Sequence, residues 1–250
     1  MSHPPLLLQV EPRARKIEQR ASDCLERCCE SLGLKRAPLP IPVDRWIECP
    51  LGIRFGITDL SYISPDVLGA ASPSDNEILI SESVLSNEAR FRFTCAHELG
   101  HMLLHKGKRR LFRDTQERPL PDVNLLERQA DRFAAAFLMP VSLLVRELVN
   151  TCDEQGVTHK EGIAELMLDT PESDWLWKKV FLPTLTRRFG MSLQATIFRF
   201  RELRRFDGRS FLFERSLDRL LQSAKADGRK ESFRLIDGFP RRPLRGLLFE

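Results

Sequence analysis

The sequence predicts an α+β fold: a small β-sheet in the first part of the chain, then long helices and a mainly helical C-terminal region. Three observations predict it. LGIRFGITDL alternates apolar and polar residues with the period of a strand, and EILIS follows as a second short strand. FTCAHELGHMLLH and LLERQADRFAAAFLMP repeat their apolar residues at helical spacing. Beyond Gly156 the segments are again largely helical, punctuated by Pro171 and Pro183. With 250 residues, 42% of them hydrophobic, the chain can build one substantial core and a smaller second unit, expected as residues 1–145 and 146–250.

In chain order, the first helix is expected from about Arg13 to Leu32, and the proline-rich LKRAPLPIPVDRW after it is extended. A turn around Ser74 to Asn76 precedes a strand through Ile78 to Ile80, giving a small hairpin sheet that leads into a helix. Ser86 or Asn87 caps that helix, which runs through His105 to the breaker Gly107. KGKRRLFRDTQERPLPDV then reads as a long polar loop, of the kind that is usually functional or mobile. The next helix covers Leu125 to Leu138, and Met139-Pro140 ends it or offsets it from VSLLVRELV. FDGRSF and KADGRKESF bring turn signals and some strand character towards the tail.

Composition narrows the functional classes. No run reaches the roughly 18 to 20 uncharged apolar residues of a membrane span, and MSHPPLLLQVEPRARK lacks the basic lead and long apolar stretch of a secretion signal, so a soluble, cytoplasmic protein is expected. In that setting the six cysteines are expected as thiols rather than a disulfide framework. Cys24, Cys28 and Cys29 sit within the first helix with no paired CxxC downstream, which favours packing over a metal site. The net charge of +4 is uneven: residues 187–250 hold 16 Lys plus Arg against 8 Asp plus Glu, or +8, leaving −4 for the remainder. Such a basic region suits either an acidic partner or a solvated helix surface.

Three of the five histidines lie in FTCAHELGHMLLH. On a helix, positions i and i+4 share a face, so His97 and His101 can aim their imidazoles at one point. Glu98 stands about 100° further round, within reach of a water beyond a metal held there. This is the zincin arrangement: two histidine ligands for Zn2+, with Glu98 as general base for the metal-activated water. Phe91, Cys95, Leu99, Met102 and Leu103 fall on the opposite side of the helix, which reads as a core helix pointing its histidines into a cleft. Gly100, unfavourable by about 1 kcal/mol within a helix, suggests a close neighbour. The competing reading is a metal-free core helix that happens to carry histidines.

A third ligand is available. A further Gly at 104 and His at 107 would make a different zinc class, but those positions hold Leu104 and Gly107. Glu127 and Asp131 stand four residues apart on the next helix, where one carboxylate can complete the metal site and the other can fix the tautomer of a ligating imidazole. Glu127 also has a structural reading: with Asn124 as cap it occupies the third helical position of a capping-box-like start. The two histidines and Asp131 favour the ligand.

RFRFTCAHELGHMLLH, the preceding NEILIS strand and ERQADRFAAAFLMP, 26 residues after the second histidine, together resemble the ImmA/IrrE family of bacterial metallo-endopeptidases, over about residues 12–145. LTRRFGMSLQATIFRFRELRRF is similar to a segment often found after the protease core in that family. The resemblance implies a zincin-like core with the small sheet packed on active-site helices, one Zn2+ per chain held by His97, His101 and Glu127, Glu98 as catalytic base and Asp131 behind His97. It also implies a regulatory protease that cuts a cytoplasmic repressor or antitoxin of helix-turn-helix type, switching on stress-response, mobile-element or toxin–antitoxin genes. In zincins the strand before the HExxH helix is a sheet edge to which substrate adds, which would make Ile78 to Ile80 that edge. With no helix-turn-helix ahead of the core, any DNA-binding partner is expected on another chain.

Other residues support smaller expectations. His105 packs, caps the helix end or hydrogen-bonds near the cleft, and Cys95 belongs to the core. Tyr62, the only tyrosine, is a candidate donor to an oxyanion. TLTRRFG followed by MSLQATIFRFRELRR reads as helix, glycine turn, helix; Leu193, Ile197, Phe198, Phe200 and Leu203 bury much of the second helix and leave Arg199, Arg201, Arg204 and Arg205. This supports a second function class, a zinc-containing regulator that does not cleave and acts through DNA or protein binding by its basic C-terminal region.

Overall fold

The computed structural model describes residues 8–10, 12, 14–107, 112–115, 125–205 and 207–227. Its fold is α+β, a four-stranded mixed sheet packed on helices and followed by a helical C-terminal region. The elements are β1 (Leu8–Val10), α1 (Arg15–Ser31), α2 (Val43–Glu48), β2 (Arg54–Thr58), β3 (Val67–Ser72), β4 (Glu77–Ser81), α3 (Glu88–Leu104), β5 (Phe112–Thr115), α4 (Leu125–Leu138), α5 (Val141–Glu154), α6 (His159–Leu166), α7 (Pro171–Leu176), α8 (Leu182–Phe189), α9 (Leu193–Glu202), β6 (Leu203–Arg205) and α10 (Glu214–Asp227).

The main sheet has the order β2-β4-β3-β5. A hairpin does turn at Asn76, whose φ of 52° is the left-handed value such a turn uses, but its first strand is β3, which the sequence did not predict, rather than the expected LGIRFGITDL strand. β2 pairs in parallel with the other side of β4, Arg54 opposite Glu77 through Thr58 opposite Ser81. The expectation that Ile78 to Ile80 forms a free edge is therefore corrected: β4 has a neighbour on each side, and the outer strands among the described residues are β2 and β5. β3 gave no strand signal because it is buried along its whole length; VLGAAS has no polar face and hence no alternation. β5 lies within the stretch expected to be loop, and its order comes from pairing with β3, a contact from more than 40 residues earlier.

α3 is the central element. Asn87 caps it, its side chain accepting from Arg90 N at 3.0 Å. Every residue from Thr94 to Met102 is buried, because β3, β4 and β5 pack on part of its surface and α4 and α2 on the remainder. α4 can come close because Gly100 carries no side chain: a Cβ there would stand 3.1 Å from Ala130 Cα and 3.2 Å from its carbonyl oxygen. α1 backs α4 with Ala21, Cys24, Leu25, Cys28 and Cys29 buried, so the three cysteines pack as expected.

The helices after α5 join the same apolar core, which runs from Leu8 to Leu220. α7 and α8 are linked through a wide π turn at Trp177–Phe181. Pro183 explains the turn: it lacks an N–H to donate, and its ring would press on the carbonyl of Lys179, so the helix opens just before it. β6 pairs antiparallel with β1, tying the segment after α9 to the beginning of the described chain. Arg199, expected among the outward-facing arginines of α9, is instead buried at 1% exposure. Its guanidinium grips Glu18 of α1 through two nitrogens, at 2.6 and 3.0 Å, and donates to the Met139 carbonyl at 3.0 Å.

Candidate metal centre

His97 and His101 project from consecutive turns of α3 and turn their Nε2 atoms toward each other, 3.0 Å apart. Glu127, in the first turn of α4, reaches across with Oε2 3.2 Å from His97 Nε2 and 3.4 Å from His101 Nε2. Donor atoms of the three residues thus lie within 4.8 Å of one another, a group able to hold a metal ion. Two imidazole nitrogens and one carboxylate oxygen form a donor set suited to a divalent ion, with at least one position left for water or substrate. The structure therefore brings together the three residues the sequence singled out as ligands. The Asn124 cap that would compete for Glu127 lies outside the described residues.

The opposite nitrogen of each imidazole is held as well. His97 Nδ1 is 3.0 Å from Asp131 Oδ1, one helical turn beyond Glu127 on the same face of α4. A carboxylate accepts the Nδ1 proton and leaves Nε2 free to face the cluster. His101 Nδ1 instead meets His105 Nδ1 at 2.9 Å, and the Phe112 ring of β5 stacks on His101 at 4.3 Å between centroids. β5 thereby walls the site, a role invisible in the polar stretch that contains it.

Glu98 is fully buried and lies on the sheet side of α3, against β3. Gly69 makes room for it: a Cβ there would stand 2.8 Å from Glu98 Oε1 and 2.8 Å from Thr94 Cγ2. Nothing local in VLGAAS announces this; the requirement comes from a helix about thirty residues later. Burial pushes the His101 pKa down to about 4, with His97 and His105 adding to the effect and Glu127 opposing it. Burial alone would raise the Glu127 carboxyl, but hydrogen bonds and charge from His101 and His97 outweigh it and hold the group well below the ordinary carboxylate range. At neutral pH the site thus presents an ionised carboxylate and a neutral His101, the protonation states that metal binding needs.

A family model, the IrrE N-terminal-like domain of peptidase family M78, matches residues 51–201. That is more than half of the chain. The chain belongs to the IrrE N-terminal-like family. None of the curated proteins matches it. Membership of this IrrE-like peptidase family gives the chain a metallopeptidase-type function and implies a metal, which the group His97, His101 and Glu127 could hold. The match runs from just before β2 into α9, so it also takes in α8 and nearly all of α9.

The remaining candidates are placed as follows. Cys95 is fully buried in the core, where desolvation pushes its thiol pKa up, and it offers no thiolate to the site. Tyr62 is 75% exposed in the β2–β3 connection. His105 is fully buried at the end of α3. No single described helix is long and apolar enough to cross a membrane.

Proposed function

We propose that this IrrE-like chain is a zinc-dependent endopeptidase that cleaves a specific cytoplasmic protein, a repressor or antitoxin of helix-turn-helix type. The observation that carries the reading is the convergence of His97, His101 and Glu127 on one point, with Glu98 adjacent on the same helix and packed beside the sheet. Zinc bound there would supply a Lewis acid that acidifies water and polarises the scissile carbonyl. Glu98 accepts the proton of the attacking water as the C–O bond forms, then returns it to the leaving nitrogen as the C–N bond breaks. Gly69 leaves room for the carboxylate of Glu98 beside β3, and Asp131 keeps His97 in the tautomer whose Nε2 faces the cluster.

The second class, a regulator that does not cleave, loses one of its assumed contacts, since Arg199 is committed to Glu18 inside the core. Co-expressing the chain with the repressor encoded nearest to its own gene, followed by intact-mass analysis, tests the proposal. Two fragments are expected with the wild-type chain and none with Glu98→Gln. Equal cleavage by both would rule out Glu98 as the base, and an unchanged cellular response to Glu98→Gln would favour the non-cleaving regulator.

A further inference from the structure

His105 is buried completely and sits between two partners: its Nδ1 is 2.9 Å from His101 Nδ1, and its Nε2 is 3.0 Å from Gln129 Oε1 on α4. Phe112 covers the pair, stacked on His101 at 4.3 Å and tilted on His105 at 5.6 Å. A neutral imidazole carries one N–H and an amide presents either its oxygen or its NH2, so the chain Gln129–His105–His101 has two self-consistent arrangements. In one, the Gln129 carbonyl accepts from His105 Nε2–H, His105 Nδ1 accepts from His101 Nδ1–H, and His101 Nε2 keeps its lone pair. In the other, the Gln129 amide nitrogen donates, every proton moves to the opposite side, and His101 Nε2 carries a hydrogen. Only the first lets His101 Nε2, which faces His97 Nε2 and Glu127 Oε2, act as a ligand.

We infer that Gln129 and His105 are positioning residues that set the tautomer of His101, as Asp131 does for His97. The two imidazoles are held by different means. Asp131 is a carboxylate that can only accept, whereas His101 depends on a buried imidazole whose direction an amide decides. Gln129 stands two residues from both Glu127 and Asp131, and its side chain meets His105, one turn of α3 beyond His101.

The inference rests on the metal-site reading, and the test separates the two. The full chain with ¹⁵N-labelled histidine is studied by long-range proton–nitrogen correlation spectra, metal-free and with zinc, and zinc affinity is measured by chelator competition. His105 is expected as the Nε2–H tautomer and His101 as Nδ1–H in both states. Gln129→Leu, at a half-buried position, is expected to release the His105 tautomer and weaken zinc about 10- to 100-fold, while Gln129→Glu, which can only accept, keeps both at wild-type values. An Nδ1–H His105 in the metal-free chain, or wild-type tautomers and affinity in Gln129→Leu, would overturn the relay. An Nε2–H His105 in a chain that takes up no zinc would support the relay and sink the metal reading instead.

Discussion

The α3–α4 centre and the helical half beyond α5 both bury charged and titratable side chains, but they use them in opposite ways. In the C-terminal half, buried Arg199 is matched with Glu18, and the more exposed Arg188 and Arg219 with Glu147 and Glu154 and with Asp169 and Asp174. Such pairs fix how helices sit and leave little free capacity. In the centre, lone-pair donors from two helices converge instead, His97 and His101 from α3 and Glu127 from α4, which creates a demand for a cation. Within the basic region, Arg188, Arg199 and Arg219 are thus engaged in ion pairs between elements of the fold.

The sharpest way to break this contrast is to change one group in each region. Glu98→Gln should lower peptide hydrolysis by about 10²- to 10⁴-fold, the usual contribution of a general base, while metal content and melting temperature stay near wild type. Steady-state cleavage beside metal analysis reads both. Arg199→Ala should do the reverse. It leaves Glu18 without its guanidinium and costs roughly 3–5 kcal/mol in urea unfolding, with zinc per folded chain unchanged. If Arg199→Ala instead stripped the metal, the two regions would be coupled and the contrast would fail.

Asp131→Ala comes next in size. Without the carboxylate on His97 Nδ1, zinc affinity should fall about 10- to 100-fold in chelator competition, with little change in global stability. The smallest effect is a pH dependence of the metal-free chain. His101 has a folded pKa of about 4 against 6.5 for the free side chain, so its contribution to stability is complete above pH 6.5 and declines as pH falls toward 4. Thermal melts across that window should show the decline, and His101→Gln should reduce it.

How much of this was legible depends on whether the cause was local. α1, α3 and α4 were readable because periodicity and the Asn87 cap act within one helix, and His97, Glu98, His101, Glu127 and Asp131 stood out by spacings of one or four residues. β3 was not, since burial on both faces removes alternation, and β5 was not, since its order comes from β3. Arg199 reads as a solvated helix residue until Glu18, 181 positions earlier, is placed beside it. Gly69 likewise acquires its meaning only from Glu98. Gly100 was the intermediate case, a helix-breaking residue that signalled a close neighbour without naming α4.

The central claim is that three convergent donors hold a metal, and the metal content of purified chains tests it most directly. Wild type and Glu98→Gln should each retain about one zinc ion per chain after dialysis against a weak chelator, and His97→Ala should retain essentially none while staying folded. Equal zinc in wild type and His97→Ala, or none in either, would contradict the account.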